Sequence, residues 1–107
     1  MHDLHRCFAA AFMTLMVTGQ PARAGDPVTY RCDDGSEVMA TFIAIEPPAA
    51  IVVDHGTLHA LGLRRSGSGA RYATGDDNPD VSFWTKGEEA LFAVAGELER
   101  ICKADPR

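Results

Sequence analysis

The sequence predicts a small all-β domain, an antiparallel eight-stranded barrel tied by one disulfide. Three observations carry that expectation. About eight short β-rich runs succeed one another between turn signals. Their connections are short, so neighbours in sequence pair as antiparallel neighbours in space. Two cysteines, Cys32 and Cys102, stand near the two ends of the series, where a bridge would fasten the first strand to the last. Closing eight strands on themselves removes their exposed edges.

The strands follow in order. Val28 to Cys32 alternates Val28, Tyr30 and Cys32 against Thr29 and Arg31, and Asp33-Asp34-Gly35-Ser36 reads as a hairpin turn. Glu37 to Ile45 is a longer β-rich run that Glu46-Pro47-Pro48 stops, because proline cannot donate to a ladder. Ala50 to Asp54 and Thr57 to Leu63 form a hairpin around His55-Gly56. A glycine-rich loop leads into Ala70 to Thr74, and Gly75 to Asp80 is a polar turn. Val81 to Thr85 and Glu88 to Ala95 flank a tight Lys86-Gly87 turn, and Leu98 to Cys102 closes the domain. Only Glu88 to Arg100 tempts a helical reading, since Ala, Leu and Glu favour helices; Gly96 inside it argues for strands. Tyr30 and Phe42 read as core. No internal repeat, low-complexity tract or second domain is visible.

Residues 1–24 read as a signal peptide and residues 25–107 as the functional domain. His2, His5 and Arg6 precede an apolar run from Phe8 to Val17, and Ala22-Arg23-Ala24 supplies small residues where a signal peptidase reads. The run falls short of the roughly 20 apolar residues that span a bilayer. Cys7 precedes the apolar run and follows Arg6, which is not the setting of a lipidated cysteine, so no membrane anchor is expected. The expected product is periplasmic. With Asp3, Arg6 and Arg23 set aside, 14 acidic and 8 basic side chains remain, a formal charge of −6. That balance argues against nucleic acid, because no basic stripe exists to neutralise phosphates. It suits a basic protein partner, since opposite net charge speeds encounter, although solubility explains acidity equally well. Removal of Cys7 leaves an even pair in an oxidising compartment, which implies the Cys32–Cys102 disulfide. Closing a loop of that length is worth roughly 4 kcal/mol in the chain-entropy model.

The chemistry-bearing candidates gather between Ser66 and Gly87. Arg64-Arg65-Ser66-Gly67-Ser68-Gly69, taken alone, is an ordinary flexible hairpin connection, and no helix follows it to make a phosphate cradle. Lys86 in a turn would ordinarily be a solvated cation. The full string Ser-Gly-Ser-Gly-Ala-Arg-Tyr over Ser66 to Tyr72, followed by Phe83-Trp84-Thr85-Lys86-Gly87, resembles the periplasmic or membrane-bound inhibitors of C-type lysozyme (the MliC/PliC family). The resemblance extends to Tyr30-x-Cys32 before a glycine turn and to Cys102 near the end. It implies an inhibitor rather than an enzyme, with C-type lysozyme as partner and no cofactor. It further implies that Ser68, with Ser66 as the fallback, enters the lysozyme cleft, and that Lys86 pairs with the catalytic aspartate. Gly67 and Gly69 would keep the loop slim, Arg71 and Tyr72 would brace it, and Trp84 would hold the turn in shape. One departure stands out: Asp76-Asp77-Asn78-Pro79-Asp80 makes the connection between Tyr72 and Trp84 longer than is usual in that family.

Other constellations are weaker. The same acidic stretch lacks the spacing and terminal glutamate of an EF-hand loop, so no metal is expected there. His55 and His59 have the separation of a helical metal pair but lie in an expected hairpin, where that spacing does not converge. A Ser68-His55-Asp54 hydrolase lacks a nucleophile elbow and an oxyanion hole. The alternative of a different class is a small envelope binding domain that uses the same barrel for another protein or ligand.

Overall fold

The computed structural model describes residues 25–106; the expected export segment, 1–24, lies outside the described residues. Eight strands follow in chain order: β1 (Pro27–Cys32), β2 (Glu37–Ile43), β3 (Ala49–Asp54), β4 (Thr57–Arg64), β5 (Ala70–Ala73), β6 (Val81–Lys86), β7 (Glu89–Val94) and β8 (Arg100–Ala104). Each pairs antiparallel with the next, and β1 pairs with β8, so the sheet closes into a barrel. There is no helix among the described residues. Cys32 and Cys102 face each other across the β1–β8 seam and form the disulfide.

Alternation along each strand decides which side chains turn inward. Tyr30, Val38, Ala40, Ala50, Val52, Leu61, Phe83, Ala90 and Phe92 fill the interior beside the buried disulfide. Phe83 sits at the centre: the Tyr30 ring meets it edge-on at 5.1 Å and the Phe92 ring at 5.7 Å. Such aromatic pairs add to the stabilisation from buried area. The Phe42 and Tyr72 rings meet at a tilt, 5.6 Å between centroids, and pack against this core.

Three of the differences from the expected boundaries bear on the fold. β2 ends at Ile43, and Ile45 is largely exposed in the loop ahead of Pro47 and Pro48. Residues 95–99 form the turn between β7 and β8, so β8 starts at Arg100 rather than Leu98, which stands out in solvent. Lys86 is the last residue of β6, paired with Glu89, so the turn is Gly87-Glu88 rather than Lys86-Gly87. Gly87 adopts φ 63°, a left-handed value that a two-residue hairpin needs at its first central position and that glycine takes without steric cost.

An up-and-down barrel sends its connections alternately to its two ends. The β2–β3, β4–β5 and β6–β7 connections share one end, so the serine loop and the lysine turn emerge together. The β1–β2, β3–β4, β5–β6 and β7–β8 connections share the other. At that second end Arg100 and Asp54 are buried as a pair: Arg100 Nη1 and Nη2 donate to Asp54 Oδ1 and Oδ2 at 3.1 and 2.8 Å. The guanidinium lies over the Phe92 ring, 4.7 Å from its centroid, and donates to Ser36 Oγ at 3.0 Å.

Candidate functional site

The serine loop is an ordered structure. Ser66 Oγ donates to the carbonyl oxygens of Ser68 and Gly69, at 3.2 Å each, so its hydroxyl is turned onto the loop's own backbone. Ser68 is exposed, and its hydroxyl has no hydrogen-bond partner among the described residues. Gly67 is exposed, and a Cβ built there would touch nothing within 4 Å. Gly69 is the opposite case. It takes φ +65°, and a Cβ there would collide with the Thr85 carbonyl oxygen and lie 2.9 Å from Lys86 Cγ. No side chain fits, so glycine is what lets the loop lie directly against the end of β6.

The lysine turn meets the loop at that point. Trp84 Nε1 donates to the Ser68 carbonyl oxygen at 2.8 Å, and the Lys86 ammonium sits over the Trp84 ring, 4.5 Å from its centroid. Thr85 Oγ1 donates to the Ala70 carbonyl at 3.3 Å, a further tie between the two strands that carry the site. Among the described residues no carboxylate lies within ion-pairing distance of Lys86, although Glu89 faces it across the ladder. The arrangement therefore presents an exposed hydroxyl and an exposed cation, the latter held over the Trp84 ring, from adjoining loops at one end of the barrel.

Arg71 and Tyr72, the expected braces of the serine loop, contact the Asp76 carbonyl and the Phe42 ring respectively. Tyr72 lies opposite Phe83 and faces inward, where it packs on Phe42; burial pushes its phenol above the usual range. Arg71 Nη2 donates to the Asp76 carbonyl at 3.1 Å. Arg64 approaches the same residue, with Nη1 3.7 Å from Asp76 Oδ1, and its Nε donates to the Ala73 carbonyl. These two arginines hold down the long acidic connection.

That connection closes on itself at the end of the barrel away from the serine loop. Thr74 N donates to the Val81 carbonyl, and Thr74 Oγ1 accepts from the backbone N–H groups of Asp80 and Val81 at 3.0 and 3.3 Å. The extra residues bulge from the far end of β5, and β6 then pairs with β7 without interruption from Val81 to Lys86.

The other constellations come apart. Asp54 belongs to the Arg100 pair, at the opposite end from Ser68, and His55 Nδ1 lies 3.0 Å from its Oδ1. The His59 ring meets the Phe92 ring edge-on, 6.1 Å between centroids. Among the described residues no group of three or more His, Cys, Asp or Glu side chains is placed to hold a metal ion. Sequence reading missed the Asp54–Arg100 pair and the Trp84–Ser68 bond. In the first, the partners lie 46 residues apart, and in the second 16, with no local pattern linking them.

No curated protein and no solved structure matches the chain significantly. The family described as membrane-bound lysozyme-inhibitor of c-type lysozyme matches residues 30–99, from the core tyrosine of β1 to the last turn before β8. That stretch is well over half of the chain and contains the serine loop, the lysine turn and the strands that join them; the chain belongs to this family of lysozyme inhibitors.

Proposed function

We propose that this chain is an exported inhibitor that blocks the active-site cleft of a C-type lysozyme with the Ser68 loop and anchors there through Lys86. The observation that carries the reading is the junction of loop and turn: Gly69 packed on Thr85 and Lys86, and Trp84 bonded to the Ser68 carbonyl. Membership of the lysozyme-inhibitor family supports the target class. A lysozyme cleft holds a protonated glutamic acid and an ionised aspartate. The Ser68 hydroxyl can accept from the first and donate to the second, since a hydroxyl does both. Lys86 supplies the charge that the aspartate lacks in a desolvated cleft, where such a pair is worth more than at a wet surface. The loop offers no glycosidic bond, so the enzyme has nothing to cleave. Residues 1–24 act as the export signal, and the acidic surface of the remainder attracts a basic partner.

The test is a lysis assay with a purified C-type lysozyme. Stoichiometric loss of lytic activity is expected, and none at micromolar inhibitor would overturn the reading. Lys86→Ala should weaken inhibition by about 30-fold or more, equivalent to roughly 2 kcal/mol for a desolvated charge pair. Ser68→Ala should weaken it about fivefold, in keeping with one hydrogen bond. Both variants should melt at the wild-type temperature; unchanged inhibition in both would refute the residue assignment.

A further inference from the structure

We propose that Trp84 is a positioning residue that fixes the Ser68 loop and Lys86 relative to one another before any target is met. The inference rests on the cleft-blocking reading and names the residue that prepares the chain for it. Trp84 lies midway along the outer side of the site strands, opposite Arg71 on β5 and Leu91 on β7. Its two chemical faces are both used. The indole N–H, a donor with no acceptor role, is spent on the Ser68 carbonyl at 2.8 Å. The ring surface carries the Lys86 ammonium at 4.5 Å. One rigid side chain thus touches both residues of the candidate site, the serine through its backbone.

The need for such a joint follows from the loop's composition. Gly67 and Gly69 give it more backbone freedom to lose than other residues would, and freedom lost on binding weakens affinity. Ser66 offers only a single hydroxyl shared between two carbonyls at 3.2 Å. The indole bond is shorter and comes from a strand rather than from the loop itself. It anchors the loop to the sheet directly at Ser68. Phenylalanine or tyrosine at this position would keep a ring beneath Lys86 but could not present an N–H there.

Trp84 is the only tryptophan in the chain, so its indole proton is a single, unambiguous signal. The first measurement is hydrogen exchange followed by nuclear magnetic resonance on the wild-type chain and on Trp84→Phe. The variant should exchange the backbone amides of residues 66–69 about tenfold faster, as expected for loss of one hydrogen bond, with the β6–β7 ladder unchanged. Unchanged loop amides would overturn the inference. The second measurement is a double-mutant cycle on lysozyme inhibition. Trp84→Phe should raise the inhibition constant about fivefold to tenfold in the wild-type background and less than about twofold in Ser68→Ala, because the effect acts through the Ser68 hydroxyl. An equal factor in both backgrounds, or no effect in the first, would overturn it. If the wild-type chain does not inhibit lysozyme at all, the cleft reading fails alone, and the exchange measurement still decides whether Trp84 holds the loop.

Discussion

Two glycines on either side of Ser68 do opposite things in the serine loop. Gly69 is required by the chain itself: its φ of +65° and the Thr85 carbonyl oxygen, which occupies the space a Cβ would need, leave no room for alanine. Gly69→Ala should cost about 1–3 kcal/mol, from the left-handed conformation and the displaced loop, and should abolish tight inhibition. Gly67 has open space around it, so Gly67→Ala should leave the melting temperature within about 2 °C of wild type, the scatter of neutral surface changes. Under the cleft-blocking reading its added methyl would nonetheless meet the wall of the lysozyme cleft, and inhibition should weaken. Thermal melts and lysis assays on the pair separate the two requirements. A Gly67→Ala chain that inhibits as well as wild type would show that the loop tip stays outside the cleft.

At the scale of elements, the end of the barrel opposite the candidate site carries a buried ion pair. In it Arg100 keeps the Asp54 carboxyl below its usual range, chiefly through the hydrogen bonds between them. A carboxylate whose folded-state pKa is depressed contributes stability that is complete above its unfolded value, here 3.8, and is lost as pH falls through the folded value. Wild type should therefore lose stability below about pH 4 more steeply than Asp54→Asn, which has no proton to take up at this position. At neutral pH Asp54→Asn or Arg100→Met should each cost up to about 3 kcal/mol, the low end for a broken buried pair, because Arg100 keeps Ser36 and Glu97 and Asp54 keeps His55 as remaining partners. The doubly apolar Asp54→Leu, Arg100→Met chain should recover much of that loss. Denaturant titrations across pH settle the point, and a matched slope in wild type and Asp54→Asn would assign acid lability elsewhere. This pair also marks where sequence reading stops. Strands were legible because alternation and turn residues are local signals: Val28, Tyr30 and Cys32 alternate with Thr29 and Arg31, and the first three face the core. Arg100 and Asp54 look like ordinary polar strand ends until closure brings β3 and β8 to one end of the interior. The candidate site was read from two short strings of residues through their resemblance to the lysozyme inhibitors. The Trp84–Ser68 bond that joins those strings was not legible, because it depends on how far the glycine loop folds back.

For the whole molecule, closure is the step on which both ends depend, and the disulfide fastens it. The Cys32–Cys102 bridge joins the first and last strands across 70 residues, enclosing nearly the whole barrel within its loop. In the chain-entropy model a loop of that length is worth roughly 4 kcal/mol. A domain of this size has a total stability on the order of 4–12 kcal/mol, so the bridge accounts for a large part of it. The Cys32→Ala, Cys102→Ala chain should melt about 15–30 °C lower than wild type, at 4–8 °C for each kcal/mol in a domain this small. Its effect on inhibition should be of a different kind. The serine loop and lysine turn hang from β4 to β7, whereas the seam lies between β1 and β8. Well below its melting temperature the cysteine-free chain should inhibit lysozyme with a constant within about threefold of wild type, as expected for sites too distant to couple. Circular dichroism melts run beside lysis assays at low temperature test both halves. A large loss of inhibition in a chain still folded would mean that the seam transmits strain to the site, and the separation of scaffold from recognition surface would fail.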